Sequence, residues 1–374
     1  MALTTPSNTQ ASETTLASSF TRFVKKGALP ALIGAMGLIA CGPKVEQGAP
    51  PTAGATQGVT PPNDSGPADD APITEAPKPP KATGNPLAGK KFWVDPESLV
   101  ALRAKALAKT DPATAKLLED KIAKYPQALW LGEWNSNVYR KVRYVVDLAA
   151  EKNELPIFIA YNVPGRDCGQ HSQGGLADKE AYQRWIRKIA AGIGDRGAVV
   201  VLEPDALGLL EKEGCLSKEK QEERLFLLHD AIKVLRQNPN TIVYLDGGHS
   251  RWHPVDVHAR LLKMAGVEDA HGFALNTSNY RAMDELLPFA KKLSELLGGA
   301  HYIIDTSRNG NGALGVEWCN PPGRKLGLAP TTETGDPAAD GYLWLKRPGE
   351  SDGECNGAPR AGAFWDKQAI ELAQ

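Results

Sequence analysis

The sequence predicts a barrel-like α/β fold with about seven parallel strands. From Asn85 onward, short apolar segments alternate with longer amphipathic ones, which is the pattern of parallel strands joined by crossover helices. Polar residues gather at the carboxyl end of nearly every apolar segment, and in a (β/α) barrel those ends share one rim. No Gly-x-Gly-x-x-Gly loop follows a strand, which argues against an open nucleotide-binding sheet.

The predicted elements follow in chain order. The strands begin at Leu129, Ile157, Val199, Ile242, Gly272, Tyr302 and Tyr342. Amphipathic segments between them predict helices at 139–152, 180–193, 221–236, 256–266 and 283–297. The segment Val199–Leu202 contains four apolar residues, three of them β-branched, and therefore predicts a strand buried on both faces. It ends unexpectedly in two acids, Glu203 and Asp205.

The N-terminus predicts export. Three basic residues precede an apolar run over 28–40, which is shorter than the ~20 residues of a membrane-spanning helix. The run ends in "LIAC", similar to a bacterial lipobox, so residues 1–40 are predicted to be a lipoprotein signal peptide and Cys41 the lipidated residue. A buried helix and an ordinary cleaved signal are the alternatives. Gly42 in place of an aspartate favours the outer membrane or cell surface of a Gram-negative bacterium.

Composition divides the rest of the chain. Residues 41–85 are rich in Pro, Ala and Gly and predict a disordered tether, because they offer too little apolar surface to offset the entropy of ordering. Residues 86–374 form the predicted folded domain.

The formal net charge of −1 argues against nucleic acid as a partner, since nucleic-acid binders concentrate positive charge. An uncharged partner is expected.

Four cysteines remain once Cys41 is set aside, an even number in a chain predicted to be exported. They are Cys168, Cys215, Cys319 and Cys355. The simplest of the three pairings joins Cys168 to Cys215 and Cys319 to Cys355. A zinc site is the alternative, but no two cysteines have Cys-x-x-Cys spacing.

Carboxyl groups recur at the predicted rim. They are Asp167, Glu203, Asp205, Asp246 and Asp352. Glu203 and Asp205 would face the same side if the chain stays extended through Pro204. Ionising several neighbouring carboxyl groups on one rim costs free energy, because their negative charges repel one another. At least one is therefore expected to have a raised pKa and to act as an acid near neutral pH. The alternative for any single Asp is a helix cap or a turn.

Tryptophans near the same strand ends predict a sugar as the partner, because an indole packs against the C–H face of a pyranose ring. They are Trp130, Trp134, Trp252 and Trp318, whereas Trp185 and Trp344 are expected in the core. The histidines after Asp246 do not form an HExxH motif, so no metal is expected. A serine hydrolase is also disfavoured, since no Gly-x-Ser-x-Gly motif is present.

Long segments of the chain resemble glycoside hydrolase family 6, the inverting β-1,4-glucanases. "YNVPGRDCGQHSQGG" and "VVVLEPDAL" resemble the two signature segments of that family. Five further segments resemble others in the same order: "YLDGGHSRW", "ALNTSNYR", "IIDTSRNGNG", "EWCNPPGR" and "LKRPGESDGEC". The resemblance covers about Asn85 to the C-terminus. It implies a distorted seven-stranded barrel, no metal or other cofactor, and a monomer that binds β-1,4-glucan or cello-oligosaccharides.

The resemblance also implies roles for individual residues. Asp205 corresponds to the general acid, and Asp167 to the carboxylate that keeps this acid protonated and supports the water network. Asp352 corresponds to the base or charge stabiliser, and Tyr161 to the tyrosine that favours distortion of the sugar at the cleavage point. The implied substrate-binding residues are Trp130, Asp246, Trp252, Asn276, Trp318, Lys346 and Glu350. The two cysteine pairs given above match the disulfides of the family.

Two departures bear on activity. Gln173 stands where the family usually has a small residue, often the serine that holds the attacking water, and Ser172 is its neighbour. The segments 346–355 and 319–355 are short compared with those that close a tunnel in processive cellobiohydrolases, which predicts an open cleft and an endoglucanase. A cellobiohydrolase and a non-catalytic glucan-binding lipoprotein are the alternatives. Inversion predicts that the carboxyl groups of Asp205 and Asp352 lie about 6.5–9.5 Å apart or further.

Overall fold

The structure, a computed structural model, describes residues 66–68, 71–169 and 173–374. The predicted signal peptide, Cys41 and much of the predicted tether lie outside these residues, as does Ser172. Within the described ranges, no helix has both the length and the apolar character needed to cross a membrane.

Seven parallel strands form one curled sheet in chain order, which confirms the predicted fold class. They are β1 (Leu129–Leu131), β2 (Ile157–Ala160), β3 (Ala198–Leu202), β4 (Thr241–Asp246), β5 (Gly272–Leu275), β6 (His301–Asp305) and β7 (Ala339–Leu343). No ladder joins β1 to β7 among the described residues. The two edges are instead linked by isolated contacts, such as the hydrogen bond of 3.0 Å from the Ala128 N–H to the Trp344 carbonyl. The barrel is therefore incompletely closed.

Eight α-helices accompany the sheet in the described part of the chain. They are α1 (Leu99–Leu107), α2 (Pro112–Leu118), α3 (Val138–Glu151), α4 (Lys179–Ile193), α5 (Lys218–Leu235), α6 (Val255–Met264), α7 (Met283–Leu296) and α8 (Asp366–Ala373). The five predicted helices correspond to α3 through α7. Helices α1, α2 and α8, of 9, 7 and 8 residues, were not predicted from the sequence. Side chains of Asn137, Asp178 and Ser217 cap the amino ends of α3, α4 and α5.

Alternation along the strands separates two cores. Val199 and Val201 of β3 lie in the barrel interior with Ile157, Ile159 and Tyr244. The intervening residues of β3 pack outward with the helices, and Trp185 of α4 belongs to that outer core. Both faces of β3 are therefore covered, as its sequence predicts.

The strand alternation stops at the acids that follow β3. Glu203 and Asp205 both have positive φ angles, 49° and 71°, whereas the expectation that they face the same side required an extended chain. The two carboxyl groups consequently contact different partners. This part of the sequence-based prediction is wrong, because the left-handed backbone at both residues redirects their side chains.

Residues 71–85 of the predicted tether pack against the outside of the domain. Glu75 pairs with Lys233 at 2.8 Å and Lys78 pairs with Asp269 at 3.1 Å. Further along, the Asn85 side chain donates to the Asp340 carbonyl at 3.2 Å. Lys233, Asp269 and Asp340 all lie near the amino ends of the strands. This segment therefore runs across the side of the barrel opposite the carboxyl-end rim.

Candidate active site

The first centre of the site is built around Asp205, directly beyond β3. Its Oδ2 accepts a hydrogen bond of 3.2 Å from the Tyr161 hydroxyl, at the end of β2. Its backbone N–H donates to Oδ2 of Asp246, the last residue of β4, at 3.3 Å. The same Asp246 oxygen accepts from the Gly248 N–H at 3.0 Å. Three neighbouring strand ends thus bring two carboxyl groups and a phenol together.

This environment raises the pKa of Asp205. Burial raises the pKa of Asp205, the negative charges of Asp246 and Asp167 raise it further, and the Tyr161 hydrogen bond and Arg166 oppose them; the result is about 8. Burial also raises the pKa of Asp246, to about 6. Asp205 therefore holds a proton at neutral pH, as the crowding of carboxyl groups on one rim predicts.

The loop that carries Asp167 is held in place on both sides. Asp167 is buried and has a φ of 59°, and the disulfide from Cys168 to Cys215 ties the loop to the segment after β3, with 5.3 Å between the Cα atoms. The Arg166 guanidinium makes two hydrogen bonds to Glu133, of 2.7 and 2.9 Å. It also lies 4.4 Å from the centre of the Tyr161 ring. The ring and the loop are therefore positioned together.

Asp352 forms a second centre with different partners. Its Oδ2 accepts from Arg308 Nη1 at 2.9 Å, from the Tyr280 hydroxyl at 3.0 Å and from the Asn320 N–H at 3.1 Å. Its Oδ1 lies 3.4 Å from Lys346 Nζ. Burial acts to raise the pKa of Asp352, but the charges of Arg308 and Lys346 and these hydrogen bonds outweigh it and hold the pKa below its usual range. Asp352 is therefore ionised.

Lys346 and Trp130 connect the two centres. Lys346 Nζ lies 5.8 Å from the centre of the Trp130 ring, and that ring meets Tyr161 edge to face with 5.1 Å between centres. The indole N–H of Trp130 donates to the Leu345 carbonyl at 2.9 Å. Four of the predicted site residues, Tyr161, Asp205, Asp352 and Lys346, are thus linked through one partly exposed tryptophan.

Other aromatic side chains lie further along the rim. The Trp252 ring covers Gly208, where a Cβ atom would come within 2.6 Å of it, and it stacks on His249 with 5.2 Å between ring centres. Trp318 is 38% exposed and Trp134 is 53% exposed. A disulfide beside Trp318 joins Cys319 to Cys355, so both pairings favoured from the sequence are present. Trp344 is buried, as expected.

Two predicted substrate-binding residues are engaged with the protein itself. Asn276 has no exposed surface; its side chain donates to the Asp305 carbonyl at 2.8 Å and accepts from the Arg281 N–H at 3.0 Å. Glu350 pairs with Arg347 at 3.4 Å. The side-chain polar atoms of Asn276 are therefore bonded within the rim, and its contact with substrate stays a prediction. Its position after β5 indicated only that it belongs to the rim.

Several residues of the site were not singled out from the sequence. They are Glu133, Tyr280, Arg308 and Asn320. Arg308 follows β6 in "IIDTSR", so a basic residue beyond a strand end was the available signal. Tyr280 and Asn320 lie in loops, and no sequence pattern connects them to Asp352. The Asp205 to Asp352 separation and the effect of Gln173 remain predictions.

The fold and the site together define a class of protein. It is a parallel α/β barrel with a protonated and an ionised carboxyl group on one rim, beside exposed tryptophans. The family model described as "Glycosyl hydrolases family 6" matches residues 87–374. The chain belongs to glycosyl hydrolase family 6.

Known relatives agree with this assignment. "Endoglucanase A" from Thermobispora bispora is 43% identical over 287 residues, which are 75% of this chain and 61% of that protein. "Endoglucanase 1" from Streptomyces halstedii is 38% identical, over 80% of this chain and 94% of its own. This chain therefore spans less than two thirds of the Thermobispora relative. A protein from Aspergillus fumigatus named as a probable 1,4-beta-D-glucan cellobiohydrolase C is 30% identical over 75% of this chain and 72% of its own.

A solved structure is similar over the whole domain. The endoglucanase Cel6 from Mycobacterium tuberculosis, in complex with methyl-cellobiosyl-4-deoxy-4-thio-β-D-cellobioside, superimposes with a TM-score of 0.73 and is 41% identical. The alignment covers 77% of this chain and 98% of that one. Residues 71–85 precede the part of this chain that the family model matches.

Proposed function

We propose that this protein is an inverting endo-β-1,4-glucanase that hydrolyses internal bonds of cellulose or related β-glucans. The observation that carries the proposal is the contrast between the two carboxyl groups. Asp205 holds a proton at neutral pH, whereas Asp352 is ionised beside Arg308 and Lys346. Carboxyl groups whose environments push their pKa values apart are the usual signature of acid and base roles in one site.

The chemistry follows from these two states. Asp205 gives its proton to the glycosidic oxygen as the bond from that oxygen to the anomeric carbon breaks, and the electron pair of the bond leaves with the oxygen. A water molecule attacks the anomeric carbon from the opposite face and loses a proton to solvent or to a basic group. Asp205 is then reprotonated from solvent, which completes the cycle.

Asp352 supports this reaction chiefly through its charge. Its carboxylate is bound by Arg308 and Lys346, and a carboxylate with a lowered pKa is a weak base. Asp352 offsets part of the positive charge of Arg308 and Lys346, which would otherwise disfavour the positive charge that develops on the sugar ring. We therefore favour charge stabilisation over direct proton abstraction for Asp352, while Tyr161 and Trp130 contact the sugar at the point of cleavage.

Internal cleavage is supported by two observations. Trp134 and Trp318 are exposed, and the segment from Lys346 to Cys355 contains ten residues, so this part of the rim is compact. The relatives named endoglucanases are 38–43% identical, whereas the relative named a cellobiohydrolase is 30% identical. Both observations favour an open cleft that accepts the middle of a glucan chain.

The test is to follow the viscosity of carboxymethyl cellulose together with the release of reducing ends. Internal cleavage shortens chains early, so viscosity should fall steeply while few reducing ends appear. Slow loss of viscosity with steady release of cellobiose would show an exo-acting enzyme. Binding of cellotetraose without any cleavage would favour a non-catalytic binding protein, an alternative that Gln173 keeps open. NMR of the first product should show the α-anomer if the reaction inverts.

We further propose that the protein is exported and anchored through lipid on Cys41. The support is the apolar run and "LIAC" segment in the sequence. In the native host, Cys41→Ala should move the protein from the membrane fraction to the soluble exported fraction, with unchanged specific activity. Retention of the variant in the membrane fraction would contradict the lipid anchor.

A further inference from the structure

The segment between Tyr161 and Arg166 is held by two buried ionisable side chains, Glu203 and Arg224. Glu203, beyond β3, is 1% exposed. Its carboxylate accepts from the Asn162 N–H at 2.9 and 3.1 Å and from the Val163 N–H at 3.0 Å. Its own backbone N–H donates to the Ala160 carbonyl at 2.8 Å, which continues the pairing of β3 with β2.

The other half of the segment is held from α5. Arg224 is 2% exposed, and its Nη2 donates to the carbonyls of Pro164 and Gly165, both at 2.9 Å. Four consecutive residues, 162–165, therefore have a backbone group bound by a buried ionisable side chain. Buried backbone groups must find partners, but strand pairing supplies most of them elsewhere in the barrel. Burying two ionisable side chains to bind one short segment costs free energy and needs an explanation.

The position of the segment supplies that explanation. It begins at Tyr161, whose hydroxyl contacts Asp205, and it ends at Arg166 and Asp167. Arg166 Nη1 donates to the Tyr161 carbonyl at 2.6 Å, so the two ends of the segment are also joined to each other. Any shift of residues 162–165 would move the phenol and the loop carboxylate relative to Asp205.

We propose that Glu203 is a positioning residue of the reaction, which with Arg224 fixes the backbone of 162–165 and so holds Tyr161 against Asp205. Glu203 itself does not contact the sugar or transfer a proton. The effect on catalysis rests on the proposed function, in which Asp205 is the acid. The effect on the backbone does not depend on it.

Two conservative substitutions separate geometry from charge. Glu203→Gln keeps an acceptor oxygen on a side chain of the same length and cannot ionise. Glu203→Asp keeps the carboxyl group on a side chain that is one methylene group shorter. We expect Glu203→Gln to retain kcat within about threefold, and Glu203→Asp to lower kcat by about 10²-fold with little change in KM, because small misplacements of this size are costly. The reverse order, with the Asp variant active and the Gln variant inactive, would show that the charge matters and would overturn the proposal.

A double-mutant cycle tests the route through Tyr161. Tyr161→Phe removes the hydroxyl that contacts Asp205. In that background, Glu203→Asp should lower kcat by less than about threefold, since coupled residues are not additive. If Glu203→Asp costs the same factor in both backgrounds, Glu203 does not act through Tyr161 and the proposal fails. If Glu203→Asp does not fold, Arg224→Lys provides a second variant, because a lysine cannot bind both carbonyls as Arg224 does. Arg224→Lys should show the same coupling to Tyr161→Phe.

Asp340→Asn is the matched control. Asp340 is also a buried carboxyl group bonded to a tyrosine, with the Tyr244 hydroxyl at 2.6 Å, but it lies at the amino ends of the strands. This variant should lower the melting temperature without changing kcat.

Hydrogen exchange gives a readout that needs no hydrolysis. The Asn162 and Val163 amides should exchange about tenfold faster in Glu203→Asp than in the wild type. Their exchange rates should remain unchanged in Asp340→Asn. Unchanged exchange in Glu203→Asp would overturn the proposal even if the wild-type protein only binds glucan.

Discussion

Asp205→Asn should abolish hydrolysis while leaving glucan binding intact. The amide has nearly the shape of the acid but cannot supply a proton to the leaving oxygen, so kcat should fall by about 10³-fold or more. The variant should bind cellotetraose with an affinity close to that of the wild type, as measured by calorimetry. Asp195→Asn, a surface substitution at a side chain that is 94% exposed, is the matched control and should retain full activity.

The pH profile of the wild-type protein provides an independent check on Asp205. The proposed mechanism needs this group protonated, so activity should be retained below its pKa of about 8 and should fall as the pH rises through that value. Asp352 must stay ionised, and its pKa is held below the usual range, so the loss on the acid side should come only at low pH. A loss of activity as the pH is raised from 5 to 6 would contradict the assignment.

Asp352→Asn should lower both activity and stability. The substitution removes the negative charge that Arg308 and Lys346 share, and Arg308 has no exposed surface. Breaking a buried ion pair in this way costs about 3–5 kcal/mol in the free energy of unfolding. In the proposed mechanism, the uncompensated positive charge of Arg308 and Lys346 would then disfavour the charge that develops on the sugar, so kcat should fall by about 10²-fold or more. Urea unfolding and initial rates on soluble glucan measure the two effects.

Asp205→Asn and Asp352→Asn should differ in their effect on the free energy of unfolding, since only the second should lower it. Asp205 has a raised pKa, so at pH 7 it must take up a proton on folding, and this costs stability at every pH above the unfolded-state value. A neutral amide removes that cost, so Asp205→Asn should be as stable as the wild type or more stable. If both variants are destabilised equally, the contrast between the two carboxyl environments is incorrect.

The strand pattern was strong enough to predict the sheet because parallel strands are buried on both faces and appear as continuous apolar runs. All seven strands occur, but β7 begins at Ala339 and not at the predicted Tyr342. The residues Ala339, Asp340 and Gly341 show no apolar run. Asp340 can lie in a buried strand because Tyr244 and His301 bind its carboxyl group, and neither contact is visible along the chain.

The site was predictable to a lesser degree. Polar residues at strand ends indicated the rim, and resemblance assigned their roles, but neither showed that the side chain of Asn276 is bonded to Asp305 and Arg281. The partners of Asp352 are 32, 44 and 72 residues away from it along the chain. Contacts across such distances depend on how loops close over the barrel, and local sequence patterns carry no information on that.

The sequence alone therefore determined the order and direction of the strands and which strand ends bear acids, because burial and alternation act between near neighbours along the chain. Only the tertiary structure showed why Asp205 is protonated and Asp352 is ionised. Asp205 is half-buried and Asp352 buried, but the first lies among other carboxyl groups and the second between two cations. It also decided that Glu203 supports the backbone of 162–165, because its carboxylate meets N–H groups from 40 and 41 residues earlier in the chain.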